Sequence, residues 1–193
     1  MFLFRPRFER QGKKITKYIG KETDCVIPEG MTGIGDFAFN ECYFIRSITI
    51  PNSVEIIGKY AFCKCRSLTS VVIFEGVKVI GESAFCKCSS LQSIIIPKSV
   101  TIIEDNAFED CKSLTSVVIS DGVTKVGDFV FFNCSSLKSV TIPQSVTIIG
   151  PYAIPHTPGL TIHAPAGSVA ERYAKDNKIP FQAEEPAGMG ELK

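Results

Sequence analysis

Ile50 to Leu68 reads IPNSVEIIGKYAFCKCRSL, and Ile96 to Leu114 reads IPKSVTIIEDNAFEDCKSL. The two stretches lie 46 residues apart and carry the same Ile, Pro, Ser, Val, Ala, Phe, Cys and Leu skeleton. Half that distance is the shorter period. Ala-Phe pairs fall at 38-39, 61-62, 84-85 and 107-108, a constant step of 23 residues, continued by Val130-Phe131 and Ala153-Ile154. Other columns keep the same phase: Cys42, Cys65, Cys88, Cys111 and Cys134; Ile34, Ile57, Ile80, Ile103, Val126 and Ile149; Leu68, Leu91, Leu114, Leu137 and Leu160. Repetition at such a period marks a stack of supersecondary units rather than one globular core.

A unit of this size cannot bury its own apolar face, so each coil must shield its neighbours in a quasi-one-dimensional array. The L-x-x-V-x-I segment alternates β-branched residues and ends at Pro or Gly, which predicts one short strand per coil. Like columns then stack as parallel ladders at ~4.8 Å, for a length on the order of 30 Å. The V-x-x-I-G-x-x-A-F-x-x-C remainder has apolar positions three or four apart with Gly as punctuation, which predicts tight 3₁₀-like turns. The fold class that follows is a β-rich α/β solenoid, one short parallel strand plus 3₁₀-like turns per coil.

The I-P-x-S-V-x-x-I-G-x-x-A-F-x-x-C-x-S-L unit at Ile50 to Leu68, and again at Ile96 to Leu114 with Glu104 in place of the Gly, resembles the BspA-like leucine-rich repeat of bacterial and protist proteins. The resemblance implies a leucine-rich-repeat binding scaffold, often a surface adhesin, and no reaction. The units also alternate. Turns with Pro and Ser (Pro51-Asn52-Ser53, Pro97-Lys98-Ser99, Pro143-Gln144-Ser145) take turns with acidic-Gly turns (Glu29-Gly30, Glu75-Gly76, Asp121-Gly122), so the larger module is two coils. Duplication of that module is the simpler reading; carboxylates reading a repeating partner is the other.

The expected organisation is an N-terminal cap over residues 1–22, a solenoid of about six coils over 23–160, a C-terminal cap over 161–183 and a flexible tail over 184–193. Ile15 to Ile19 and Phe2 to Phe8 are expected to supply the first cap. In the second, Ser168-Val169-Ala170-Glu171 is a capping box, which predicts a helix over about 168–176 that closes the core with Val169, Ala170 and Tyr173.

With 21 Lys and Arg against 20 Asp and Glu, the net charge is +1. That gives no field to gather nucleic acid or anionic lipid. No run reaches the ~18 apolar residues of a membrane span, and the four apolar residues before Arg5 fall short of an export signal. As written, the chain is expected to be cytoplasmic, with a cell-surface or secreted location as the alternative if it is trimmed from a longer protein.

The two C-x-C pairs, Cys63/Cys65 and Cys86/Cys88, invite a metal or redox reading. The ladder, however, assigns Cys65 and Cys88 to packing beneath the Phe column. Cys63 and Cys86 share a column with Asn40, Glu109 and Phe132, a mixture that predicts a solvent-facing position, with a Cys63–Cys86 disulfide open as the lesser alternative. Cys25 stands in a column of core aliphatics. Cysteines placed by packing favour a reducing compartment. His156 and His163 sit by the C-terminal cap without a cluster of carboxylates, and no phosphate loop, nucleophile elbow or zinc motif is present. No enzyme activity, metal or cofactor is expected.

Binding is expected on the strand face. With the Val71 and Ile73 positions inward, the outward column is Thr49, Val72, Ile95, Val118 and Thr141, flanked by Arg46, Thr69, Gln92, Thr115 and Lys138. Strand propensity alone selects β-branched residues there. A contiguous exposed apolar stripe equally marks a protein or peptide contact surface. Tyr43, Phe44, Phe74 and Phe132, aromatics in otherwise polar columns, are second candidates, some of them for self-association.

Overall fold

The computed structural model describes residues 8–184. Its coils stack about one axis, and each contributes a strand to two different walls. The front wall consists of Asp24–Val26, Ser47–Ile50, Ser70–Ile73, Ser93–Ile96, Ser116–Ile119, Ser139–Thr141, Thr161–Ala164 and Phe181–Ala183, all parallel where they pair. The back wall was not visible in the sequence. It is a continuous sheet of two-residue strands, Gly33–Ile34, Ile56–Ile57, Val79–Ile80, Ile102–Ile103, Lys125–Val126 and Ile148–Ile149. A hairpin of Phe8–Gln11 and Lys14–Tyr18 closes its N-terminal end, with Ile15 pairing onto Ile34. The Ile15 to Tyr18 part of the expected cap therefore forms a strand, while residues 2–7 and 185–193 lie outside the described residues.

Register follows the 23-residue step: Ile48 pairs with Val71, Ile94 with Val117, and Val117 with Val140. Because side chains alternate across a strand, this register sends one set of residues inward in every coil. Phe39, Phe62, Phe85, Phe108 and Phe131 form a fully buried ladder, with successive ring centroids 4.8, 5.0, 5.2 and 5.6 Å apart and nearly parallel planes. Offset stacking at this distance adds to the gain from burial alone.

The turns between back and front strands hold i→i−3 bonds, as the 3₁₀-like expectation requires: Ala38 N–H to Gly35 O (3.2 Å), Asn40 N–H to Phe37 O (3.0 Å) and Cys42 N–H to Phe39 O (3.1 Å). The intervening amides point along the stack. Phe37, Phe39 and Glu41 donate to Lys59 O, Ala61 O and Cys63 O at 2.9, 2.7 and 2.9 Å. Left-handed backbone at Phe37 (φ 58°) and Glu41 (φ 62°) turns these amides towards the next coil, and the same two columns are left-handed at Tyr60, Lys64, Ser83, Lys87, Asn106, Asp110, Phe129 and Asn133. Non-glycine residues avoid this region in isolation. The inter-coil hydrogen bonds offset that cost.

The two-coil module has a physical basis in the other turn. Ser53, Ser99 and Ser145 accept from the N–H of Gly30, Gly76 and Gly122 at 3.1, 2.9 and 3.1 Å. Gly76 (φ 151°) and Gly122 (φ 121°) lie so close to the preceding coil that a Cβ would meet Asn52 O and Lys98 O at 2.0 Å. Glu75 accepts from Ser99 N–H at 2.9 Å, so this carboxylate serves the fold rather than standing free for a partner.

At the C-terminal end the helix Val169–Asp176 starts at Ser168, whose hydroxyl accepts from Glu171 N–H at 3.2 Å, while the Glu171 carboxylate reaches back to Gly167 N–H at 2.6 Å. Ala170 and Ala174 are buried, and Tyr173 takes the place of a missing coil by accepting from Ile154 N–H at 3.2 Å. One irregularity interrupts the front wall. No pairing joins Ser70–Ile73 to Ser93–Ile96, and Val71 is only half-buried where its column neighbours Ile48 and Ile94 are buried. Nothing in the flanking side chains accounts for the break.

Candidate functional site

The outward column of the front wall reads Val26, Thr49, Val72, Ile95, Val118, Thr141 and His163, from the pairings Val26 to Thr49, Thr49 to Val72, Val118 to Ile95, Val118 to Thr141 and Thr141 to His163. Val26, Val72, Ile95 and Val118 are 58, 44, 64 and 36% exposed, large values for aliphatic side chains, and the two threonines are half-buried. The break in pairing after Ser70–Ile73 falls between Val72 and Ile95. Two members escaped the sequence reading. Val26 follows from the same step of 23, and His163 was hidden by the phase slip after Leu160.

Of the flanking column, Arg46, Thr69, Gln92, Thr115 and Lys138 are all exposed. Three of them are already used between coils: Thr69 Oγ1 donates to Arg46 O and Thr115 Oγ1 to Gln92 O, each at 3.0 Å, and Lys138 Nζ donates to Pro158 O at 2.6 Å. Each end of the stripe is polar. Asp24 accepts from Ser47 Oγ (2.5 Å) and Thr23 Oγ1 (2.9 Å); these bonds, the one from Ser47 foremost, hold its carboxyl below the usual carboxylate range, and the Arg46 charge contributes in the same direction. His163 Nδ1 lies 3.4 Å from Glu184 Oε1.

The aromatic candidates lie on three coils, with Tyr43 and Phe44 adjacent on one and Phe74 and Phe132 each on another. Tyr43 lies under the Arg66 guanidinium at 5.6 Å, a cation–π distance. Phe44 approaches Tyr18, and Phe132 meets Phe129 edge-on at 5.6 Å. Phe74 is 53% exposed just beyond its strand. Tyr43 and Phe44 are both exposed, at 45 and 41%, whereas Phe74 and Phe132 stand one and four coils further along.

The cysteines require one correction. Cys63 and Cys86, expected to face solvent, are each 4% exposed and joined by a disulfide across a Cα–Cα distance of 4.7 Å. Their column lies where adjacent coils approach to one ladder spacing; a pair of small thiols closes inward there, whereas Phe132 in the same column projects out. Cys65, Cys88, Cys111 and Cys134 are fully buried, and each Sγ donates to the carbonyl of a Phe in the preceding coil at 3.1 to 3.2 Å. Cys42, at the head of the ladder, has no such carbonyl and is half-buried. Burial pushes the Cys42 thiol up to about 11 and those of Cys25 and Cys134 up to about 12. Thiols so raised are poor nucleophiles. Among the described residues no group of three or more His, Cys, Asp or Glu is placed to hold a metal ion, and no helix is long and apolar enough to cross a membrane.

A sequence profile described as a BspA type leucine rich repeat region matches six copies over residues 32–161. The chain belongs to this family. A leucine rich cell surface protein of Faecalibacterium prausnitzii is 31% identical over 82% of the chain, with a TM-score of 0.62, and the chain spans 55% of that protein's length. A leucine rich repeat protein of T. pallidum (23% identity, 96% of this chain and 99% of that one, TM-score 0.69) and the pneumococcal vaccine antigen PcpA (15%, 92% and 46%, TM-score 0.76) share the fold. No protein of curated function matches the chain.

Proposed function

We propose that this leucine-rich-repeat chain is a non-catalytic scaffold that binds a protein or peptide across its front wall, outside the reducing cytoplasm. The observation that carries the reading is the outward column itself: four aliphatic side chains, 36 to 64% exposed, on two runs of hydrogen-bonded strands that meet between Val72 and Ile95, bounded by Asp24 and His163. Exposed apolar stripes with polar rims are a common form of protein contact surface. The Cys63–Cys86 bond supports an oxidising location, since such bonds persist outside reducing compartments. The F. prausnitzii relative is described as a cell surface protein, which supports adhesion as the biological use of the same face. The test is the Val72→Asp/Ile95→Asp/Val118→Asp variant. It should keep the circular dichroism of the parent and lose the proteins that the parent captures from its native source. A variant that folds and captures the same set rules out the front wall, and light scattering that shows the parent as a self-assembled polymer would favour a structural role.

A further inference from the structure

The amide ladder between coils has a vacancy where the last two coils meet. In four successive coils three N–H groups, at the positions of Phe37, Phe39 and Glu41, donate to carbonyls of the next coil. The third of these is met at Glu41, Lys64, Lys87 and Asp110, by Cys63 O, Cys86 O, Glu109 O and Phe132 O at 2.9, 2.7, 2.7 and 2.9 Å. In the following coil Phe129 and Phe131 still donate to Pro151 O and Ala153 O, at 3.0 and 2.8 Å. Asn133 N–H, the third of that coil, meets no carbonyl. The sequence gives the reason: the A-F-x-x-C skeleton becomes Ala153-Ile154-Pro155-His156-Thr157-Pro158, and the two prolines carry the chain away from the position its carbonyl would occupy.

What that departure leaves is a cavity of about 360 Å³, with Asn133, Phe132, Tyr152, Ile154, Pro155 and Pro158 among its lining residues. Its size is within the range of ligand sites, ~300 to 1,000 Å³. No Asp, Glu, Lys or Arg lines it; the polar part of its lining is Asn133, Ser135, His156, Thr157 and the Tyr152 hydroxyl, so no permanently charged side chain there favours a charged occupant. Asn133 is left-handed (φ 58°) and its side-chain amide donates to Asp110 at 2.5 Å, so its residue is anchored to the preceding coil while its backbone N–H stays free. Tyr152 stacks on Phe129 at 5.3 Å, with Phe132 edge-on to Phe129, which holds an aromatic wall in place.

From the vacancy and the cavity together we infer that this end of the solenoid is a second binding site, for a peptide segment with a neutral aromatic side chain. Its backbone carbonyl takes the N–H of Asn133 and so completes the ladder; its side chain fills the space against Phe132, Tyr152 and Pro155. The recognition joins a main-chain hydrogen bond that supplies registry with a pocket that supplies selectivity. It does not depend on the front-wall reading.

The probe is N-acetyltryptophan N-methylamide, with N-acetylalanine N-methylamide as the control that keeps the carbonyls and lacks the ring. Titrated into ¹⁵N-labelled protein, the tryptophan probe should shift the Asn133 amide saturably and show NOEs from its indole to the Tyr152 ring, with the alanine probe at least about tenfold weaker. Tyr152→Ala, which truncates a side chain 64% exposed, should weaken binding at least about tenfold. Phe37→Ala, in the same column at the far end, should leave it unchanged. No saturable shift at Asn133 up to the probe's solubility limit overturns the proposal, as do equal binding of the two probes or NOEs confined to the front wall. The NOE arm in the parent protein decides the matter even if Tyr152→Ala disturbs the fold.

Discussion

Truncating one ring of the phenylalanine ladder measures how far the stack behaves as a chain of neighbour contacts. Phe85 is fully buried, with its ring 5.0 Å from Phe62 at an 8° interplanar angle and 5.2 Å from Phe108 at 3°. Phe→Ala in a packed core costs about 3 to 5 kcal/mol from lost burial and the cavity left behind. Each stacked pairing is worth about 0.5 to 1.5 kcal/mol beyond burial, and Phe85 has two, which places Phe85→Ala near the upper end, about 4 to 5 kcal/mol. Phe131 stacks only on Phe108, at 5.6 Å, and the next position in its column is Ile154. Phe131→Ala should therefore cost about 1 kcal/mol less. Urea unfolding with linear extrapolation, with the slope compared between variants, reads both numbers. A Phe85→Ala loss below about 2 kcal/mol, or a larger loss at Phe131 than at Phe85, refutes the additive-ladder reasoning.

The disulfide closes a loop of sequence separation 23, so Cys63→Ser/Cys86→Ser should destabilise the protein by about 3 kcal/mol; a change under about 1 kcal/mol would count against the bond. Titration of the denatured, unreduced chain with a thiol reagent should find six free thiols of the eight cysteines, and eight would contradict the bond outright. Alkaline pH should also weaken the fold. Burial raises the Cys134 thiol from 9.0 to about 12, so between these values the unfolded chain has lost a proton that the folded chain keeps. Stability then falls as pH rises, by up to ~1.4 kcal/mol per pH unit for this thiol. Cys134→Ala should show a shallower decline than the parent from pH 9 to 11, and parallel curves would refute the assignment.

The parts of this fold that repeat were legible, because periodicity needs no knowledge of geometry: the Phe and Cys columns, the inward Val71 and Ile73 positions and the outward Val72 all follow from counting. The Ser168 cap was legible for a different reason, since a hydroxyl three residues before a glutamate is a local signal. What escaped depended on distance between coils rather than on residue type. The back wall uses strands of two residues, too short to carry an alternation. Left-handed backbone at Phe37, Tyr60 and Phe129 is set by hydrogen bonds to the next coil, and nothing in an aromatic residue announces it. Cys63 and Cys86 looked exposed because their column is chemically mixed, yet a column is exposed or buried coil by coil according to what its neighbours can close. The cavity at Asn133 was written in the sequence only as a departure, Pro155-His156-Thr157-Pro158, whose consequence needed the carbonyl positions.

Deleting Pro97 to Ile142 removes one whole two-coil module of 46 residues and joins Ile96 to Pro143, which restores an Ile-Pro junction and leaves Cys63 and Cys86 in place. If the coils are shielded only by their neighbours, the shortened chain keeps the parent's β-rich circular dichroism, disperses its amide resonances and unfolds cooperatively at lower urea. A chain that instead loses its sigmoidal transition and dispersed spectrum would contradict the stacked-coil account.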